Sequence, residues 1–202
     1  MPRLLLPLNV SVNVMAKQAS PFLHTHRWRL LGWGFAGCLL LAPLVAMRYT
    51  EEVRWTGFDF AVAAALIISV GLGVEWAVRH SHNFAYRGGV ALALMAAFLL
   101  LWINGAVGIM GSEKNPANLL YLGIIAVAAM GAVIAGFKPR GMAKAMLAAA
   151  LAQLVVEAAA ISLGHFTAFL TAFFCFLWLC SARLFQICAG PSAATAMPHA
   201  SE

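Results

Sequence analysis

Glu157 has the surroundings most suggestive of chemistry, because it places a carboxyl group within a long apolar run. Inside a membrane span, a carboxylate is costly unless it is paired, protonated or wetted. Gln153 precedes it by one helical turn and shares its helix face. Two interpretations stay open for this pair. One is a site for an ion, a proton or a small solute, and the other is hydrogen bonding that joins helices.

A weak internal repeat relates Asn104 to Glu157. Arg87-Gly88 and Arg140-Gly141 each open an apolar run, and Asn104 and Glu157 follow the two arginines at the same distance. If the two hairpins are copies of one unit, these side chains lie at equal depth and can face one another. The sequence then predicts a polar pocket that opens toward the outer surface, lined by Glu157, Asn104, Gln153, Asp59, Asn118 and His165.

No other group of residues has the spacing of a catalytic or metal centre. His80 and His82 have no carboxylate in the same turn, and the same holds for His24 and His26. No nucleophile–base pair is visible, so an enzyme is the least favoured class, and we expect neither a metal nor a cofactor. The cysteines form no CxxC pair and are interpreted as small buried hydrophobic residues: Cys38, Cys175, Cys180 and Cys188.

The composition indicates a membrane protein. Of the 202 residues, 63% are hydrophobic and only 10% are charged, whereas a soluble domain has about 45–50% apolar and about 25% charged residues. About 20 residues of helix cross the hydrocarbon core, and the runs lack the alternation of a barrel. The sequence therefore predicts an all-α polytopic bundle of six transmembrane helices, at 28–47, 58–78, 88–110, 116–137, 142–163 and 166–187.

The six spans form one transmembrane domain, 28–187, between segments 1–27 and 188–202, which we expect to be cytoplasmic and disordered. Two alternatives concern the first segment. A signal peptide ending at Ala16 would place Arg27 and Arg29 outside, against the charge pattern described next. A translation start at Met15 would leave 1–14 without a role.

The distribution of charge predicts the orientation. Ten of the 13 Lys and Arg residues lie on the side of the N-terminus, and five of the seven acidic residues lie away from that side. Because cytoplasmic loops are enriched in Lys and Arg, both ends are predicted to be cytoplasmic. The basic residues flank apolar spans and form no face with interleaved aromatic residues. The bilayer is therefore the expected partner, and nucleic acid is not.

Local motifs predict helix starts and packing faces. Asn115 is expected to cap span four, with Pro116 in the first helical position, and Glu75 is expected to pair with Arg79. The aromatic-rich sixth span is expected at the lipid-facing edge or at a subunit interface. Small residues predict two faces for close helix approach, Ala128, Ala132 and Gly136 on span four and Gly105, Gly108 and Gly111 on span three.

Three stretches together resemble a family of small polytopic bacterial inner-membrane proteins with no assigned activity. They are Glu-Glu-Val-Arg-Trp at 51–55, Gly-Ser-Glu-Lys-Asn-Pro-Ala-Asn-Leu at 111–119 and Lys-Pro-Arg-Gly-Met-Ala at 138–143. The resemblance implies the same topology and a location in the bacterial inner membrane.

Two classes of function follow. The first is a structural or accessory membrane component that associates with further copies of itself or with other membrane proteins through its small-residue faces. The second is a small transporter or channel for an ion, a proton or a solute, which would use the pocket around Glu157 and Asn104.

Overall fold

The structure, a computed structural model, describes residues 8–51, 54–112 and 114–190, with side chains from Arg29 onward. This part of the chain is helical and contains no strand. A short 3-10 helix, Pro116–Asn118, leads into the fourth α-helix. The α-helices are α1 Leu8–Tyr49, α2 Gly57–His80, α3 Phe84–Ala106, α4 Leu119–Ile134, α5 Pro139–Ser162 and α6 Ala168–Ala189.

Six of these helical stretches are long and apolar enough to cross a membrane, which confirms the predicted fold class. Large apolar side chains remain exposed on them: 72% of Phe35, 87% of Ile134 and 86% of Phe169 are accessible. Such surfaces would be a liability in water but match a hydrocarbon solvent. By helix length and composition, the chain is a multi-pass membrane protein.

The first of two compact units covers residues 1–67. Within it, Thr56 and Asp59 form a capping box at the start of α2. The backbone N–H and the hydroxyl of Thr56 donate to Asp59 Oδ2 at 2.7 and 2.8 Å. The Asp59 N–H donates back to Thr56 Oγ1 at 3.4 Å. Asp59, predicted as a pocket residue, thus serves here to begin a helix.

The second unit covers residues 68–202 and holds the best-packed helices. α5 packs extensively on α6 and α4, α3 packs on α6, and α3 touches α4 only slightly. α4 and α5 lie so close that a Cβ added to Gly131 would stand 2.7 Å from Ala145 Cβ. The predicted packing face of α4 is confirmed at Ala128 and Ala132, which are both buried.

The starts of the helices differ most from the prediction at α1 and α3. α1 begins at Leu8 rather than at residue 28, so 8–27 belongs to this helix, while 1–7 and 191–202, parts of the two segments predicted to be disordered, lie outside the described residues. α3 begins at Phe84 because the Asn83 side chain accepts hydrogen bonds from the Ala85 and Tyr86 N–H groups.

Several of the small residues assigned to helix faces are turn residues instead. α3 ends at Ala106, so Gly108 and Gly111 lie beyond it, at φ of 70° and 84°. Gly136 follows α4 at φ 54°. These φ values are readily adopted by glycine. The predicted face on α3 is therefore wrong, and the one on α4 stops at Ala132.

The prediction that the aromatic sixth span lies at the edge is wrong for one of its faces. Phe174, Trp178 and Phe185 are fully buried, while Phe169 and Phe176 on other faces are exposed. α6 is thus a central helix that packs on both α3 and α5. Sequence reasoning failed here because bulky residues suit both lipid and a protein core.

Candidate functional site

The α5–α6 hairpin places a carboxyl group opposite two hydroxyls. Gly164, at φ 82°, makes the tight turn that was predicted between the two helices. Because the helices run antiparallel from this turn, Glu157 on α5 faces Thr171 on α6, each seven residues from Gly164. Thr167, the residue before α6, completes the group.

The carboxyl group of Glu157 makes both of its hydrogen bonds through one oxygen. Thr167 Oγ1 donates to Glu157 Oε2 at 2.5 Å, and Thr171 Oγ1 donates to the same atom at 2.7 Å. The Tyr121 hydroxyl lies 3.4 Å from Thr167 Oγ1, which extends the network to α4. All four residues are buried; Glu157 is 8% exposed. The network therefore joins three helices at one buried acid.

The other carboxyl oxygen of Glu157 and the side-chain amide of Gln153 are buried without hydrogen bonds. Glu157 Oε1 is buried and has no hydrogen-bond partner. Gln153, one turn away on α5 and 0% exposed, has none for either its Nε2 or its Oε1. The indole Nε1 of the fully buried Trp178 is also unpaired. Buried polar groups in proteins are nearly always bonded, so these atoms need an explanation.

No cation of the described chain neutralises the carboxyl group. Neither of the salt bridges formed by described residues involves Glu157; they join Arg54 to Glu51 and Arg79 to Glu75. The second of these is the helix pair predicted from its spacing, at 3.4 Å. On α5 itself the nearest basic residue is Lys144, roughly 20 Å away at about 1.5 Å per residue. What does favour a negative charge is the N-terminal turn of α6, next to Thr171.

Two of the other predicted pocket residues, Asn104 and Asn118, form a separate group at the end of α3 and in the α3–α4 connection. Asn118 Oδ1 accepts from the Met110 N–H at 2.9 Å, and its Nδ2 donates to the Ser112 carbonyl at 2.6 Å. Asn104 Nδ2 donates to the Asn118 carbonyl at 3.0 Å. We call this set, together with Asn115, the asparagine clamp, because each bond fastens loop backbone.

Asn115 has the role predicted for it, and it also meets His165. Its Oδ1 accepts from the Ala117 N–H at 3.0 Å at the start of the 3-10 helix, and its Nδ2 donates to the Met110 carbonyl at 2.7 Å. The same Nδ2 lies 3.5 Å from His165 Nε2. His165 therefore contacts the asparagine clamp from the α5–α6 turn.

The structure thus divides the six predicted pocket residues. Glu157 and Gln153 lie together in the α5–α6 hairpin, and Asn104, Asn118 and His165 belong to the asparagine clamp or contact it. Asn104 bonds to loop backbone and makes no hydrogen bond with Glu157. Asp59 caps α2 in the first unit. Among the described residues, no group of three or more His, Cys, Asp and Glu residues could hold a metal ion.

Comparisons with protein families, curated proteins and solved structures find no match.

Sequence reasoning missed the three hydroxyl groups around Glu157. A signal for two of them was present, because Gln153 and Glu157 are four residues apart on α5, and Thr167 and Thr171 are four apart across the turn. Folding the chain back at Gly164 places the two pairs opposite one another. Tyr121 had no such signal, because an aromatic residue near a helix end is equally expected at a membrane interface.

Proposed function

We propose that the chain is a structural or accessory component of the bacterial inner membrane, threaded six times with both ends in the cytoplasm. The excess of Lys and Arg on one side supports this orientation. The resemblance of the three stretches at 51–55, 111–119 and 138–143 to small bacterial inner-membrane proteins supports the bacterial inner membrane as the location. Large exposed apolar surfaces are available to lipid and to other membrane proteins.

The observation that carries a structural role is how the interior polar groups are used. In the asparagine clamp, the side chains of Asn104, Asn115 and Asn118 donate hydrogen bonds to backbone carbonyls of the connection between α3 and α4. Glu157 ties α5 to Thr167 and Thr171. Polar side chains used this way join helices in membranes. Here they fasten α5 to α6 and hold the connection between α3 and α4, which suits a protein that holds or stabilises others.

A second candidate is a small transporter or channel for an ion, a proton or a solute. It is favoured by the unpartnered atoms, Glu157 Oε1 and the whole amide of Gln153. Ionisable groups within membrane spans mark ion and substrate pathways in many proteins. A helix-joining role alone does not require these atoms to be left unpaired.

The variant Glu157→Gln separates the two functions. Its amide oxygen still accepts from both threonines, so a structural role predicts normal abundance and an unchanged set of partners. The measurement is the composition and size of complexes purified with the tagged full chain from native membranes, in the mildest detergent that extracts it. The structural role is refuted in favour of transport by two results together. The native chain is purified without partners, and in reconstituted vesicles it carries an ion, proton or solute flux that Glu157→Gln abolishes.

A further inference from the structure

We propose that Glu157 and Gln153 bind a small monovalent cation of the sodium class within the α5–α6 hairpin, with Thr171 as a further oxygen ligand. This deepens the second candidate function by naming the occupant of its site. The inference is independent of whether the chain also acts as a structural component, since a structural membrane protein can hold an ion.

The arrangement of oxygen atoms is the first support. Glu157 Oε1 and Gln153 Oε1 are both buried and unpartnered. The two side chains are one helical turn apart on the same face of α5, where side chains at that spacing are neighbours. Thr171 Oγ1, 2.7 Å from the other carboxyl oxygen, keeps lone pairs while it donates. Carboxylate, amide and hydroxyl oxygens are the ligands that hard cations prefer.

The single negative charge of the Glu157 carboxylate supports a monovalent cation as the occupant of the site. The carboxylate has no cationic partner among the described residues, and an isolated charge in this setting is costly. One monovalent cation would neutralise it. A divalent ion would leave an excess charge, because Glu157 is the only acidic residue within α3, α4, α5 and α6.

The hydrogen bonds on Oε2 favour a metal cation over a bound proton. Both threonine hydroxyls donate to this oxygen, so its lone pairs already serve as acceptors in two hydrogen bonds. A proton on Oε1 would need an acceptor, yet Oε1 has no hydrogen-bond partner among the described residues. A metal cation between Glu157 and Gln153 would use both unpaired oxygens together. Protonation of Glu157 would then compete with cation binding.

The test uses a hydrophobic carbodiimide, which adds to protonated carboxyl groups. The full-length protein is labelled in detergent micelles, and the rate of modification at Glu157 is followed by peptide mass spectrometry. NaCl, LiCl, KCl and choline chloride are compared at constant ionic strength. We expect Na⁺, at about ten times its Kd, to slow labelling about tenfold by mass action. Choline should have no effect.

Two variants sharpen the result. Gln153→Leu keeps the carboxyl group but removes one ligand, so Glu157 should still be labelled and Na⁺ should no longer protect it. Glu157→Gln is the control that identifies the labelled position. Should Gln153→Leu fail to fold, the native chain alone decides, since its thermal unfolding midpoint should rise in Na⁺ relative to choline.

The proposal is overturned if Na⁺ and Li⁺ leave both the labelling rate and the unfolding midpoint unchanged. Labelling that responds to pH alone would identify a proton site instead. None of these outcomes affects which proteins are purified together with the tagged chain from native membranes. Failure of the cation site can therefore be distinguished from failure of the structural role.

Discussion

Replacing Thr167 and Thr171 together by valine is expected to destabilise the protein by about 3–5 kcal/mol, because two hydrogen bonds to a buried acid are lost. Valine keeps the shape of threonine, so packing changes little. Glu157 would then keep its burial with neither of its hydroxyl partners. The measurement is the free energy of unfolding in mixed micelles, followed by circular dichroism.

The matched comparison adds Glu157→Leu to the two valine substitutions. Removing the acid together with its donors leaves no buried carboxyl group without donors, so most of the lost stability should return, although the Tyr121 hydroxyl still lacks its Thr167 partner. Ser162→Ala serves as the control for losing a hydroxyl, because Ser162 is exposed and bonds only to its own helix. If the triple variant is no more stable than the double one, the hydroxyls do not act through Glu157.

The second large effect is expected from a substitution at Gly131, where α4 packs closely on α5. An added Cβ would stand 2.7 Å from Ala145 Cβ and 3.2 Å from its Cα, so the helices would have to separate. Gly131→Val should cost about 2–3 kcal/mol, as overpacking of a tight core does. The same unfolding measurement in mixed micelles gives the value.

Gly123 on the same helix provides the control. No atom lies within 4 Å of the place where its Cβ would stand. Valine and glycine also differ little in helix propensity, so Gly123→Val should change stability by only a few tenths of a kcal/mol. Equal losses at the two positions would mean that the close approach of α4 and α5 does not stabilise the protein.

Most of the fold could be predicted from the sequence, because membrane helices are specified by length and polarity. The six spans, the cap at Asn115 and the turn at Gly164 all follow from local chemistry. The centre of the bundle could not be predicted in this way. Trp178 and Phe185 suit lipid and protein interior equally, so only the packing of α3, α5 and α6 reveals that they are buried.

The candidate site was predicted in part. Glu157 and Gln153 stood out, because a polar residue in an apolar run is conspicuous in any span. Asn104 and Asn118 stood out for the same reason, yet they fasten a loop. Polarity alone cannot distinguish these uses, since both begin with a side chain that must find a partner. The partner depends on which helices adjoin, as Tyr121 shows on α4.

The most direct test of the proposed threading is the accessibility of Lys114 and Lys138, which flank the fourth span. In a variant without its four cysteines, Lys114→Cys and Lys138→Cys are treated separately with a membrane-impermeant maleimide on intact cells. We expect labelling at 114 from outside, and labelling at 138 only after the membrane is permeabilised. Labelling of both positions from the same side, or of 138 alone from outside, would contradict the proposed threading of the chain.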